Sequence, residues 1–257
     1  EMPWTATERG RVDRAVAYGL QARAALFAGS LNFGGKAVDY FRTAANAANQ
    51  VIGQRDLAKN FADLFTKEGQ TKSDVRNEML WELMYSDQMV NNTNKYHWVA
   101  LGNGPRMFAQ TGQHPGSLLA DTYECIDGLR IDESPLYDPK APNKNRDPRF
   151  YASIYYNGSI RYLDNPNGDK VETFVGGNCG ISDNVTDIRF TRTGYYMRKF
   201  NNYKSGIGQD ADGLMRIYRL AELYLNFAEA AYQAVGPDIP VVSKVGAESL
   251  SARDAIN

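Results

Sequence analysis

Two stretches near the start of the chain carry apolar residues at the spacing of a helix. In residues 9–29, apolar side chains recur every three or four positions, which predicts an amphipathic helix. A second such pattern fills residues 36–52 and is rich in alanine, which lets two helix axes approach closely. Gly34 and Gly35 lie between the two patterns and favour a turn. We therefore predict an antiparallel helix pair here.

The middle of the chain has shorter patterns. Residues 73–86 hold an apolar run that fits either a short strand or another buried segment, and its periodicity does not decide between them. The sequence of residues 118–123 predicts a short helix. Residues 149–156 predict a strand, because the following Asn157-Gly158 is typical of a hairpin turn, and residues 160–163 are its predicted partner.

The later segments alternate between loops and regular structure. Residues 91–115 and 164–184 are rich in Asn and Gly and predict long loops, which in compact domains are usually functional or mobile. Residues 194–200 predict a strand or an extended segment, and residues 214–235 predict a long helix. Residues 247–257 begin another helical pattern that stops before a helix is complete. We therefore expect the whole protein to continue past this point.

Composition and charge exclude some classes of function. The chain has 257 residues, 43% of them hydrophobic and 23% charged, which is an ordinary globular balance. Its formal net charge of -1 argues against a nucleic-acid partner, which would need a positive face. No run of about 18 apolar residues occurs, so the sequence predicts no membrane-spanning helix.

Few residues have the spacing of a metal or disulfide site. Cys125 and Cys179 are too few for a disulfide framework, and the sequence leaves open whether they pair. His97 and His114 are 17 positions apart, which is not a spacing typical of metal ligands. The Asp- and Asn-rich turn at residues 164–169 has oxygens suited to calcium, but it lacks the EF-hand spacing. We therefore predict no cofactor and leave calcium open.

Two carboxylates on one helix face raise the question of glycoside hydrolysis. Glu222 and Glu229 are spaced so that their backbones lie about 10 Å apart on a helix. Glycosidases use two carboxyl groups at about 5–10 Å. The surrounding Ala- and Leu-rich sequence instead suits a packed helix, on which Glu222 or Glu229 would form a salt bridge with Arg216 or Arg219. We therefore predict that the protein is not an enzyme.

The loop at residues 94–113 has the chemistry of a sugar-binding site. Flat aromatic faces stack on pyranose rings, while amide and guanidinium groups bind their hydroxyls. The residues predicted to contact ligand are Tyr96, His97, Trp98, Asn103, Arg106 and Phe108. The alternative is that Trp98 only packs the loop onto the helices.

Four motifs follow one another along the chain. They are GRV at residues 10–12 with ARAAL at 22–26, NRDPRF at 145–150, GYYMRKF at 194–200 and RLAELYLNFAEAA at 219–231. In this order they resemble the SusD/RagB family, surface lipoproteins of Gram-negative bacteria that capture nutrients, mostly glycans. In the NRDPRF motif, Arg146 and Arg149 are interpreted as scaffold, because guanidinium groups tie loop carbonyls and carboxylates together.

The resemblance implies a mainly α fold, with tetratricopeptide-like helix pairs packed with an irregular region of loops and short hairpins. The domain prediction is a single SusD-like domain over residues 1–257, truncated at both ends. Its helical repeat parts are predicted at about 9–53 and 214–257, and its irregular region at about 86–213. The lipoprotein signal and its acylated cysteine are expected outside this chain.

The resemblance also implies a function. The protein is expected to bind a starch- or polysaccharide-type oligosaccharide at the outer-membrane surface and to deliver it to a SusC-like TonB-dependent transporter. Its contact with the membrane is expected through an N-terminal lipid anchor absent from this chain, and no nucleic acid is expected as a partner. The alternatives are a peptide-binding family member, a protein-interaction scaffold and, less in keeping with the sequence, a helical glycoside hydrolase.

Overall fold

The structure of the protein is a computed structural model. It describes residues 2–6, 8–66, 68–84, 114–161, 170–180, 190–200, 214–241 and 249–257. The helices in these ranges are α1 (Arg14–Ser30), α2 (Ala37–Asn49), α3 (Ser73–Glu78), α4 (Ser117–Thr122), α5 (Pro148–Ser153) and α6 (Leu220–Val235). The strands are β1 (Met79–Met84), β2 (Ile154–Tyr155), β3 (Tyr196–Met197) and β4 (Leu214–Arg219).

By its internal contacts the chain divides into two compact units. The first unit consists of Glu1–Lys59, Lys72–Met84 and Leu214–Asn257, and the second consists of Asn60–Thr71 and Tyr85–Gly213. Helices α1, α2 and α6 belong to the first unit and provide most of its buried apolar core. Every helix of the described residues is too short or too polar to cross a bilayer.

The predicted helix pair at the start of the chain is confirmed as α1 and α2, although α1 begins later than the pattern indicated. Gly10 has a positive φ of 84°, which is outside the helical region. The Asp13 side chain then accepts a hydrogen bond from the Val16 N–H and caps the helix. Small residues let the two helices approach, since a Cβ added at Gly29 of α1 would lie 2.7 Å from the Phe41 ring of α2.

The ambiguous segment at residues 73–86 contains a short helix followed by a strand. Helix α3 leads directly into β1, and β1 pairs antiparallel with β4. The prediction of one helix over residues 214–235 was therefore wrong for its first part, because Leu214–Arg219 forms β4. The register places Glu82 opposite Arg216, and their side chains form a buried ion pair. This partner is distant in sequence, so a local pattern does not reveal it.

The prediction of a strand over residues 149–156 was also mostly wrong. Asp147 accepts a hydrogen bond from the Arg149 N–H, and Pro148 occupies the first turn, so helix α5 begins here. Only Ile154–Tyr155 forms a strand, β2, and its partner is β3. Ile160 of the predicted partner segment forms an isolated bridge with Lys170.

Other local predictions agree with the structure. The short helix predicted at 118–123 is α4, and the strand predicted at 194–200 includes β3. Near the end of the chain, the Ser251 N–H donates to the Asp254 carboxylate and the Asp254 N–H donates to the Ser251 hydroxyl. This reciprocal pair is the arrangement that begins a helix. The following residues form turns through Ile256.

Candidate functional site

The residues predicted to contact ligand lie outside the described part of the chain. They are Tyr96, His97, Trp98, Asn103, Arg106 and Phe108, and all of them fall within residues 85–113. Their role as a sugar-binding group stays a prediction. The structure does describe the residues of the second unit that follow this segment, beginning with His114.

The chain just after the predicted loop is held against strand β3. The His114 ring packs edge-on against Tyr196, with ring centroids 5.5 Å apart. The Thr193 hydroxyl donates a 2.7 Å hydrogen bond to the Pro115 carbonyl. Burial, aided by the positive charge of Arg192, lowers the pKa of His114, so this ring is neutral at pH 7. These contacts hold His114 and Pro115, which directly follow the predicted loop in sequence, against residues of the second unit.

Arg146 is the buried centre of the same unit. Its guanidinium donates hydrogen bonds to the carbonyl oxygens of Ala120 at 2.5 Å, Tyr123 at 2.7 Å and Pro142 at 2.9 Å. The guanidinium carbon also lies 4.9 Å from the centre of the Phe150 ring. With 1% of its surface exposed, Arg146 ties α4 to the loop that precedes α5. This agrees with its interpretation as scaffold.

A shell of tyrosines surrounds the buried Phe150 ring. Tyr123, Tyr151, Tyr156 and Tyr195 are each partly buried against the cluster that Phe150 forms with Ala120 and Ile154. Tyr151 has a structural role, because its hydroxyl donates to the Asn143 carbonyl and accepts from the Arg146 N–H. Burial raises the pKa of Tyr156 and of Tyr195 above the usual value, so both stay protonated at neutral pH.

Of the two carboxylates considered for catalysis, Glu222 is held in an ion pair within the first unit. Glu222 accepts two hydrogen bonds from Arg23, each 2.8 Å long, which join α6 to α1. For Glu222, the predicted partners Arg216 and Arg219 were therefore wrong, because these arginines pair with Glu82 and Glu78. Arg23 also lies 4.2 Å from the centre of the Tyr218 ring. The geometry of Glu222 is that of a structural ion pair.

The described ranges contain both cysteines and one of the two histidines, His114. No group of three or more His, Cys, Asp or Glu side chains in these ranges is arranged to hold a metal ion. Cys125 and Cys179 are both buried, and no disulfide joins them. The turn at residues 164–169, for which calcium was left open, lies outside the described residues.

Two of the cavities lined by described residues belong to the first unit. A polar cavity of about 340 Å³ has charged walls, among them Arg9, Asp13, Arg55 and Glu82. These charges satisfy one another, since Arg9 pairs with Glu82 and Arg55 pairs with Asp13. An apolar cavity of about 590 Å³ is lined by α6 and the last residues, including Leu225, Tyr232, Pro237 and Ile256.

Comparisons with known proteins identify the fold. A sequence model of the SusD family, SusD_RagB, matches residues 77–257. A SusD-like protein from Bacteroides fragilis is 20% identical and superposes with a TM-score of 0.66 over 91% of this chain and 46% of its own. A SusD-like carbohydrate-binding protein from the same species is 21% identical, with a TM-score of 0.69 over 90% of this chain and 43% of its own.

A third structure holds a sugar. Surface glycan-binding protein A from Bacteroides thetaiotaomicron, in complex with laminarihexaose, is 17% identical and has a TM-score of 0.53 over 91% of this chain and 47% of its own.

The chain spans less than half the length of each of these three structures. No curated protein sequence matches it. The predicted mainly α, SusD-like fold is confirmed.

Proposed function

Because this chain belongs to the SusD family, we propose that it binds glycans and does not alter them chemically. The family match over residues 77–257 carries the proposal. Two proteins of similar fold support it, since one is named a carbohydrate-binding protein and the other holds laminarihexaose. The absence of catalysis is in keeping with Glu222, whose carboxylate is occupied by Arg23.

The proposal extends to the setting of the protein. We propose that it acts in polysaccharide utilisation at the outer-membrane surface, anchored by lipid, and hands a starch-type or related oligosaccharide to a SusC-like TonB-dependent transporter. This extension follows from family membership alone. This role requires no catalytic residue, because capture and release of a glycan need only non-covalent contacts.

The predicted loop is the proposed place of capture. Trp98 and Tyr96 would stack on pyranose rings, and Asn103 and Arg106 would bind the ring hydroxyls. The described residues directly after this segment are held in place, since Pro115 accepts a hydrogen bond from Thr193.

Replacing Trp98 with alanine is expected to weaken glycan binding at least tenfold, because a buried aromatic anchor often contributes about 2 kcal/mol or more to binding. Isothermal titration calorimetry against a panel that includes laminarihexaose and maltohexaose measures the change. Trp4→Ala is the matched control, since Trp4 stacks on Tyr18 in the first unit. Equal affinities of the Trp98 and Trp4 variants would mean that the binding site lies outside the predicted loop. If the unmodified protein shows no measurable binding to any glycan of the panel, the proposed function is overturned.

A further inference from the structure

Three polar groups of the second unit lie together without protein partners. They are the carboxylate of Asp121 on α4 and the hydroxyls of Tyr137 and Tyr195. Asp121 is exposed, and the two tyrosines are partly buried. Within the described ranges, none of these three groups makes a hydrogen bond or an ion pair with another side chain or with the backbone. Each is therefore available to a ligand.

Arg146 brings these groups together from three distant segments. Its guanidinium hydrogen-bonds the carbonyl of Ala120, the neighbour of Asp121, and its central carbon lies 5.9 Å from the centre of the Tyr137 ring. Tyr195 packs on the cluster that contains Ala120. After burial, the negative charge of Asp121 is the largest influence that raises the pKa of Tyr195, which is consistent with their closeness.

Hydrogen bonds hold the backbone next to both rings before any ligand binds. At Leu136, which precedes Tyr137, the N–H donates to the Ser134 hydroxyl, and the carbonyl accepts from the Asn145 side chain. The Tyr195 carbonyl accepts a 2.8 Å hydrogen bond from the Thr191 hydroxyl. Rings that are fixed in advance lose little entropy on binding, so they are suited to recognise a ligand by its shape.

We propose that Asp121, Tyr137 and Tyr195 form a second contact site for a neutral saccharide, in addition to the predicted loop. The aromatic faces would lie against the C–H side of a pyranose ring, and the carboxylate and phenol groups would bind its hydroxyls. A neutral ligand fits because Asp121 and Arg146, whose charges are opposite, both act electrostatically on Tyr195, and surroundings of mixed charge favour no strongly charged ligand. This inference rests on the proposed glycan-binding function.

The test compares conservative variants of these residues. Tyr137→Phe removes only a hydroxyl, and Asp121→Asn removes only a charge at an exposed position, so both are expected to fold. Each should weaken binding of the tightest-bound neutral oligosaccharide of the panel about threefold to tenfold, as expected for one lost hydrogen bond. Tyr40→Phe and Asp39→Asn, in the first unit, are the matched controls and should bind as the unmodified protein does.

The outcomes separate the two proposals. Weaker binding by Tyr137→Phe and Asp121→Asn, with unchanged controls and unchanged melting temperatures, supports the second site. If the unmodified protein binds an oligosaccharide and both variants bind it equally well, the second site is wrong and the proposed function stands. If the unmodified protein binds none of the panel, both proposals fail.

Discussion

The Arg146→Met variant is expected to lose about 3 kcal/mol or more of its unfolding free energy, because each buried carbonyl left without a donor costs about 1–3 kcal/mol. Methionine keeps much of the volume of arginine but donates no hydrogen bond. The carbonyls of Ala120, Tyr123 and Pro142 would then lose the donor that the guanidinium supplies. Denaturant unfolding followed by circular dichroism and by tyrosine fluorescence measures the loss.

The control for Arg146 lies in the same motif. Arg149 has 55% of its side chain exposed and pairs with Asp147, so Arg149→Met should cost less than about 1 kcal/mol. Arg146→Lys should restore little, because one ammonium group cannot match the planar geometry with which a guanidinium reaches several acceptors. Equal unfolding midpoints for Arg146→Met and Arg149→Met would show that Arg146 does not hold this unit together.

The Glu82→Gln variant is expected to lose about 3–5 kcal/mol of unfolding free energy, because removal of one partner leaves a buried charge uncompensated. The side chains of Glu82 and Arg216 are each 5% exposed, and Glu82 also pairs with Arg9. Burial lowers the pKa of Arg216, and the negative charge of Glu82 opposes that change. Without this carboxylate, the arginine is left buried with less compensation, and the pairing of β1 with β4 weakens.

Two further variants isolate the effect of the buried ion pair. Glu222→Gln removes a carboxylate that is 38% exposed and should cost about 1 kcal/mol or less. The double variant Glu82→Gln/Arg216→Met should recover part of the loss, because it removes the uncompensated cation, and a double-mutant cycle measures the coupling. A Glu82→Gln protein as stable as Glu222→Gln would mean that the cross-strand pair does not stabilise the first unit.

Local sequence patterns were sufficient to predict those elements whose structure depends on neighbouring residues in the chain. The apolar spacing and the alanines predicted α1 and α2 correctly. Helix α5 was missed because residues 149–156 were interpreted as a strand, whereas the preceding Asp147 and Pro148 form a cap that starts a helix. Strand β4 could not be found locally, since its ion pairs join residues more than 130 positions apart.

In the candidate site, too, some residues were identified from a single sequence segment and others only from the fold. The chemistry of the predicted loop was chosen from residue types within one segment, and it stays a prediction. The interpretation of Arg146 as scaffold also came from a short motif and agrees with the structure. By contrast, Asp121, Tyr137 and Tyr195 come from three segments, and only the fold around Arg146 brings them together. No spacing in the sequence indicates such a group.

Native affinity electrophoresis shows whether the protein binds a glycan without cleaving it. The purified protein is run through gels with and without a dissolved neutral polysaccharide, such as a β-1,3-glucan or starch. We predict slower migration in at least one polysaccharide gel and no new reducing ends after incubation with that polysaccharide. Unchanged migration in every gel, or the release of reducing ends by the protein, would contradict the account.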